Sequence, residues 1–355
     1  MELNNLILTI ILILFTIFFY RIFIFFLNQR NPRLLVDDQF SKPQAFHEKP
    51  ISTSGGLYIF FSLLIIVFNF YFFKQTILLE YLSFCTLFFI IGFIDDIKIN
   101  IKAITRLLLM IISLVFLVKY NNFYIYKTGI EFLNIWLENS NTFSLIFVSL
   151  CFLFIVNGAN LIDGYNGLLG IHSLIILINL FLINYLSDNN NLASLIFFSI
   201  FILIIFLIFN FPKAKIFLGD SGSYVLGAFI AISVIKTSIE NPVISPFYFC
   251  IILFYLFFEV FFSFLRKLIK EKKSPIQPDK KHLHMLLYKL LLKKNNNKLK
   301  SNYQVSIIIN SVYLALIMPA IFMMKNGMFC KYYSTVLFIF YFFSYKIADK
   351  KNKQF

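Results

Sequence analysis

The chain has 355 residues, 59% of them hydrophobic and 14% charged, with a mean hydropathy of +0.81. Soluble domains run nearer about 45–50% apolar and about 25% charged, so a water-soluble globule is excluded and a polytopic membrane protein is expected. The formal net charge of +15 reads as membrane orientation and anionic-lipid attraction first and substrate phosphates second, with nucleic-acid binding set aside.

A membrane-spanning helix needs about 20 mostly apolar residues. That length predicts an all-α bundle of about eleven spans (ten or eleven), near 6–27, 56–73, 77–94, 103–119, 142–159, 167–186, 192–209, 223–240, 246–265, 305–324 and 332–347. The first span follows a single acid, Glu2, and lacks a basic leader, so it reads as a retained helix. Residues 28–55 form a hydrophilic loop with Pro32, Pro43, Pro50 and Gly55-Gly56 that ends by entering a helix. The segment 120–141, with Tyr120, Tyr124, Tyr126 and Trp136, has the chemistry of an interfacial belt. Residues 266–304 form a basic loop that carries His282-Leu-His284, broken near Pro275 and Pro278 before a helical stretch around 281–294. No internal repeat is visible, and the whole of 1–355 reads as one membrane domain. Cys85, Cys151, Cys250 and Cys330 are scattered without CxxC spacing, which indicates neither a disulfide framework nor a zinc site.

On an alternating topology Arg30, Arg33, Lys42, Lys49, Lys98, Lys102, Arg106, Lys213, Lys215, the 266–300 run and Lys346, Lys350, Lys351 and Lys353 share one side. Positive charge marks the cytoplasmic side, so the N-terminus is expected outside and the C-terminus in the cytoplasm.

Polar groups are costly in a bilayer, and here they gather at span ends on the basic side. Gly92-Phe-Ile-Asp95-Asp96 puts two acids where a span leaves the membrane, with Arg106 just inside the next apolar run. In Asn157-Gly-Ala-Asn160-Leu-Ile-Asp163-Gly164-Tyr-Asn166-Gly167, Asn157, Asn160 and Asp163 share a helical face, and the glycines, Gly164 among them, let a ligand approach the backbone. Amide oxygens and a carboxylate are hard ligands suited to Mg²⁺, which takes the rest of its shell from water and phosphate. Asn210-Phe-Pro leads to Phe217-Leu-Gly219-Asp220-Ser-Gly-Ser, where Asp220 reads as helix cap, metal ligand or both, and Phe217 as a platform for a nucleobase. The pattern suggests Mg²⁺-dependent chemistry on a phosphorylated substrate at the membrane face. Glu259, inside a span, reads as a structural group paired between helices.

These clusters, in this order, resemble the polyprenyl-phosphate N-acetylhexosamine-1-phosphate transferase superfamily of MraY/WecA-like enzymes. The likeness runs from about Pro43 to Tyr288 and includes the double glycine, Asp95-Asp96, the NxxNxxDGxNGL stretch from Asn157, the FLGDSGS run and His282-Leu-His284. Pro43-Gln-Ala-Phe-His47 and Ser274-Pro-Ile-Gln-Pro-Asp279 resemble its glycosyltransferase family 4 branch most closely. The resemblance implies transfer of a sugar-1-phosphate from a UDP-N-acetylhexosamine to undecaprenyl phosphate, releasing UMP, at the cytoplasmic face of the bacterial inner membrane. It implies Mg²⁺, with Mn²⁺ able to substitute, and admits a homodimer. Carried over, Asp220 and Asn160 hold the metal and diphosphate, Phe217 stacks on uracil with Asn166 and Asn210 nearby, and Asn157 and Gly164 also bind substrate. Asp95 and Asp96 orient the lipid phosphate or accept its proton, Asp163 is a further catalytic acid, the catalytic His282 and His284 contact sugar or diphosphate, and Arg106 supplies the cation. A direct displacement and a two-step route through Asp163 or Asp96 stay open.

The sequence departs from the family pattern at Ile99, where a third acid is usual, at Ile51-Ser-Thr-Ser, which lacks a proline and an arginine, and at Met285, where a third histidine would stand. The last points away from the alternative, a phospho-N-acetylmuramoyl-pentapeptide transferase, and toward a smaller UDP-sugar. A transporter or flippase, the other alternative, predicts mid-span charges, and only Arg21 and Glu259 approach that description.

Overall fold

The computed structural model describes residues 2–25, 35–37, 50–76, 78–99, 101–272, 274, 279 and 281–354. Most of the 28–55 loop, with Pro43–His47, and the Pro275–Pro278 stretch lie outside the described residues. The expected apolar runs are helical over nearly all of their described length. α1 is Glu2–Ile17, continued by a wide π turn at Phe18–Phe23. Then come α2 (Gly55–Lys74), α3 (Leu79–Asp96), α4 (Ala103–Tyr120), the short α5 (Glu131–Asn139), α6 (Asn141–Ile162), α7 (Leu168–Leu186), α8 (Asn190–Asn210) and α9 (Gly219–Glu240). The chain continues through α10 (Pro246–Ile252), α11 (Phe254–Leu265) with a π turn to Glu271, α12 (Leu283–Asn295), α13 (Lys298–Phe322) and α14 (Gly327–Lys353). Among the described residues, eight helices are long and apolar enough to cross a membrane, or nine if the bent pair α10–α11 is one span. Two further expected spans are helical but more polar: α3 carries Glu80, Asp95 and Asp96, and α14 ends in four basic residues and Asp349.

The run 246–265 differs from its expectation as one straight span. α10 and the helix after it meet at 75°, and the Tyr313 hydroxyl donates to the Ile252 carbonyl at 2.5 Å, satisfying an acceptor at the break. Among the described residues the all-α expectation is interrupted by a two-stranded ribbon, β1 (Val36–Asp37) antiparallel to β2 (Ile51–Ser52), and by a parallel bridge from Ser52 to Ile216.

α9 is the axis of the bundle, with nearly every residue from Ser221 to Thr237 buried. It packs against α2, α3, α6 and α7. The outer helices keep large apolar side chains exposed, such as Leu14, Ile112, Phe116 and Ile208, a surface that suits lipid and not water. At one end of the bundle the segment before α9 is stitched to the start of α2. Phe217 N–H donates to the Ser52 carbonyl at 2.7 Å, and Gly55 and Gly56 N–H donate to the Phe217 and Leu218 carbonyls at 3.0 and 2.8 Å. That stitching fixes where α9 begins.

Candidate active site

Five polar segments from distant parts of the sequence meet at this end of the bundle. α3 delivers Asp95 and Asp96 at its last turn. Adjacent helical residues point about 100° apart, and the two acids take different partners. Asp96 accepts from the backbone N–H of Asp220 at 2.8 Å, and from the N–H and hydroxyl of Ser221 at 3.0 and 2.5 Å. It thus caps α9 from another helix, against the positive end of its dipole. α3 comes this close because Gly92 has no side chain: a Cβ there would lie 2.5 Å from the Asp220 carbonyl oxygen. Gly219, with φ of +76°, turns the chain into α9, and a Cβ on it would strike the Asp96 carboxylate.

Asp220 therefore does not serve as the cap of its own helix, one of the expected readings. Its carboxylate is turned outward and held from two sides. Asn160 Nδ2 donates to Oδ1 at 2.9 Å, and Arg106 pairs with Oδ2 at 3.1 Å. Arg106 also forms a close ion pair with Asp95 and lies 6.0 Å from the Tyr224 ring centroid. Ser223 completes the link, accepting from Asn160 Nδ2 at 3.0 Å and donating to the Asp220 carbonyl. Asp95, Asp96, Arg106, Asn160 and Asp220 form one bonded cluster.

Asp163 follows the last turn of α6. Desolvation pushes its carboxyl well above the usual carboxylate range, and the neighbouring Asp220 and Asp96 charges push the same way. Arg106 is shared by two carboxylates, Asp95 and Asp220, with Asp96 and Asp163 close by, a surplus of acid that suits a further cation. Among the described residues no three His, Cys, Asp or Glu side chains form a metal cage by themselves. Mg²⁺ asks for less, one or two carboxylates with water and substrate phosphates, and Asp220 with its neighbours fits that demand.

The other amides are placed differently. Asn157 turns back along α6, donating to the Leu153 carbonyl at 2.8 Å. Asn166 and Asn210 are buried and hold the turn between α6 and α7. Asn210 accepts from the Gly167 N–H at 2.7 Å and donates to Ile216, while Asn166 donates to the Pro212 carbonyl at 2.9 Å. Gly164 lies in the same turn, its N–H donating to Ile162. Phe217 is half-buried beside the α2–α9 stitching.

His282 and His284 form a second cluster at the start of α12, both buried. Their rings are parallel within 2° and 5.4 Å apart. Tyr165, two residues beyond Asp163, meets His284 edge-on at 5.6 Å and joins the two clusters. Arg266 and Asp279 pair beneath them.

Sequence reasoning missed several participants. Ser221 and Ser223 were present in the FLGDSGS run without a role. α13 lies beyond the region of resemblance, yet Asn302 Oδ1 accepts from the Asn166 N–H at 2.8 Å, Ser306 donates to the Asn166 carbonyl at 2.6 Å, and Asn310 donates to Leu168 at 3.2 Å. The available signal was three polar residues at i, i+4 and i+8 in an apolar helix.

Comparison with known proteins covers part of this arrangement. The pattern of glycosyl transferase family 4 matches residues 78–238. A Thermotoga maritima protein named undecaprenyl-phosphate alpha-N-acetylglucosaminyl 1-phosphate transferase is 35% identical over 139 residues, 39% of this chain and 41% of its own length. Proteins named phospho-N-acetylmuramoyl-pentapeptide-transferase are also similar. The one from Dictyoglomus turgidum is 33% identical over 204 residues (55% of this chain, 62% of its own). The one from Prochlorococcus marinus is 32% identical over 264 residues (68% and 71%). The chain thus spans 41% and 62% of the length of the first two and 71% of the third. A glycosyl transferase family 4 pattern, these relatives and a helical membrane bundle converge on one assignment: the chain belongs to the polyprenyl-phosphate N-acetylhexosamine-1-phosphate transferase superfamily.

Proposed function

We propose that the protein transfers a sugar-1-phosphate, that of an N-acetylhexosamine, from a UDP-sugar to undecaprenyl phosphate and releases UMP, starting a lipid-linked envelope glycan. The observation that carries this reading is the outward carboxylate of Asp220, gripped by Arg106 and Asn160 where α9 begins. Both reactants are polyanions, so positioning and charge neutralisation dominate the barrier. A divalent metal, Mg²⁺ in this reading, would be held by Asp220 and Asn160, and when bound it would supply positive charge to the diphosphate. Arg106 offers its guanidinium to a phosphate, Phe217 its ring face to uracil, and His282 and His284 contact sugar or diphosphate. An oxygen of the lipid phosphate forms the new bond to the β-phosphorus as the bond to the bridging oxygen breaks and UMP departs with that oxygen. A lipid phosphate is already ionised near neutral pH, which lowers the demand for a strong base. The engagement of both Asp96 oxygens with α9 supports this direct displacement over a phosphorylated Asp96. Asn157, Asn166, Asn210 and Gly164 act by shaping the walls of the site.

The same reading sets the topology. With α5 and α12 lying along the surface, α10–α11 crossing as one bent unit and the ten other helices crossing singly, there are eleven crossings. The N-terminus is outside, and the site and the C-terminus are cytoplasmic, in a bacterial inner membrane. The ends of α3, α6 and α8 and the starts of α4, α9 and α12 then share the basic side.

The test is transfer by membranes containing the protein, given undecaprenyl phosphate, Mg²⁺ and a panel of radiolabelled UDP-sugars. Lipid-linked product and UMP are expected with a UDP-N-acetylhexosamine. UDP-N-acetylmuramoyl-pentapeptide belongs in the panel because two of the relatives carry that transferase's name. Absence of lipid-linked product with every donor would sink the reading.

A further inference from the structure

Glu259 is one of the most enclosed charged groups in the protein, 1% exposed in the middle of α11. An isolated carboxylate in such a place is costly, and it persists only when paired. Tyr341 on the neighbouring α14 faces it, but its ion-pair partners are two histidines at the start of α12. Oε2 lies 3.1 Å from His282 Nδ1, and Oε1 lies 3.6 Å from His284 Nδ1. One carboxylate therefore addresses the same ring atom of both histidines, and their rings are parallel within 2°. Tyr255, one helical turn before Glu259, sets its hydroxyl 3.5 Å from His284 Nδ1. His284 Nε2 is buried with no hydrogen-bond partner, while His282 Nε2 turns toward Asp279 at 3.8 Å.

Which nitrogen of an imidazole carries the proton is decided by what the other nitrogen faces. We infer that Glu259 is the positioning residue for His282-Leu-His284: Oε2 holds His282 by a hydrogen bond at Nδ1, Oε1 faces His284 Nδ1 across 3.6 Å as an ion-pair partner, and both Nε2 atoms are left on the side away from the carboxylate. α11 thereby fixes, from within the bundle, side chains on a segment that enters from the basic loop. The inference rests on the proposed role of the histidines toward sugar or diphosphate.

Substitution by glutamine makes the test sharp. A carboxylate accepts at both ends, whereas an amide accepts at one end and donates at the other. In Glu259→Gln one histidine keeps an acceptor at Nδ1 and the other faces an amide donor there. Expected is a fall of about tenfold in kcat, the usual scale for losing an orienting partner, with the KM for undecaprenyl phosphate unchanged and the melting temperature in detergent close to wild type. Glu259→Asp, which reaches only one ring, should fall between the two. The deciding measurement is a double-mutant cycle with His282→Ala and His284→Ala. If Glu259 acts through the rings, Glu259→Gln adds little once both histidines are gone. Full additivity, or normal kcat in Glu259→Gln while the histidine variants are impaired, overturns the inference and leaves the functional reading standing. Wild-type protein without transfer activity overturns both.

Discussion

Asp96 accepts the backbone N–H of Asp220 at 2.8 Å, so one acid anchors the main chain from which the other acid projects. The two residues are neighbours in space with unequal tasks. Asp96 is tied to three donors at the start of α9, and Asp220 is turned to the cluster surface between Arg106 and Asn160. Their substitutions should therefore fail in different ways.

Asp96→Ala removes the cap and leaves the first amides of α9 without an acceptor. A loss of about 1–2 kcal/mol in stability is expected, read as a lower melting temperature in detergent together with reduced turnover. A variant that melts like wild type but is inactive would mean that Asp96 reacts chemically and does not merely hold α9.

Asp220→Asn keeps size but removes a charge and one of the two acceptors that Arg106 and Asn160 use. Turnover should drop by at least about a hundredfold, roughly 2.7 kcal/mol of barrier, with the melting temperature little changed. The variant should also need more Mg²⁺ for half-maximal activity. Near-normal turnover would remove Asp220 from the metal site.

Phe217 separates recognition from packing. If its ring stacks on uracil, Phe217→Ala loses roughly 1–3 kcal/mol, seen as a raised KM for the UDP-sugar with the KM for undecaprenyl phosphate little altered. Phe217→Tyr should retain most of the affinity. Equal damage to both KM values with heat-labile protein would mean that the ring only packs against its surroundings.

Orientation is open to a labelling experiment. Ser187, at the end of α7, and Ser274, beyond the π turn of α11, are both exposed, whereas Ser301 is buried and unsuited as a probe. In a cysteine-free background, an impermeant thiol reagent added to intact cells should label Ser187→Cys and spare Ser274→Cys. The reverse pattern would place the acidic cluster outside the cell and defeat a reaction supplied by cytoplasmic UDP-sugars.

Asn302 and Ser306 clamp the backbone of Asn166 from α13. Asn302→Ala and Ser306→Ala should each cost about 1 kcal/mol, with the double variant losing activity through a loosened turn. Hydrogen exchange at the Asn166 and Gly167 amides is the direct readout, and unchanged protection would show that α13 is dispensable for the turn.

Helices and the meeting of acids at one end were legible because apolar length and span-end polarity are local features of the chain. The division of labour between Asp95 and Asp96 was not, since it depends on how close Gly92 lets α3 approach α9. The 75° bend at Leu253 was hidden too: the run through it is uniformly apolar, and no proline or glycine marks the break. Glu259 reads from the sequence as a group paired between helices, and it is; which partners it takes was hidden, because nothing local ties residue 259 to 282 and 284. Asn166 and Asn210 looked like ligands for the same reason that they are good clamps, since amides that satisfy a nucleotide also satisfy bare backbone groups.

That clamping bears on how the family can diversify. The turn from Asp163 to Leu168 is gripped by Asn210, Ser306, Asn302 and Asn310 at named backbone atoms, so its length is constrained as tightly as its residues. One inserted residue would shift every grip out of register and carry Asp163 away from Asp220. The segment between α4 and α5, at the far end of the bundle, carries no such chemistry. Insertions and deletions among homologues should accumulate there and spare the turn, making loop length a record of which end of the molecule is under chemical constraint.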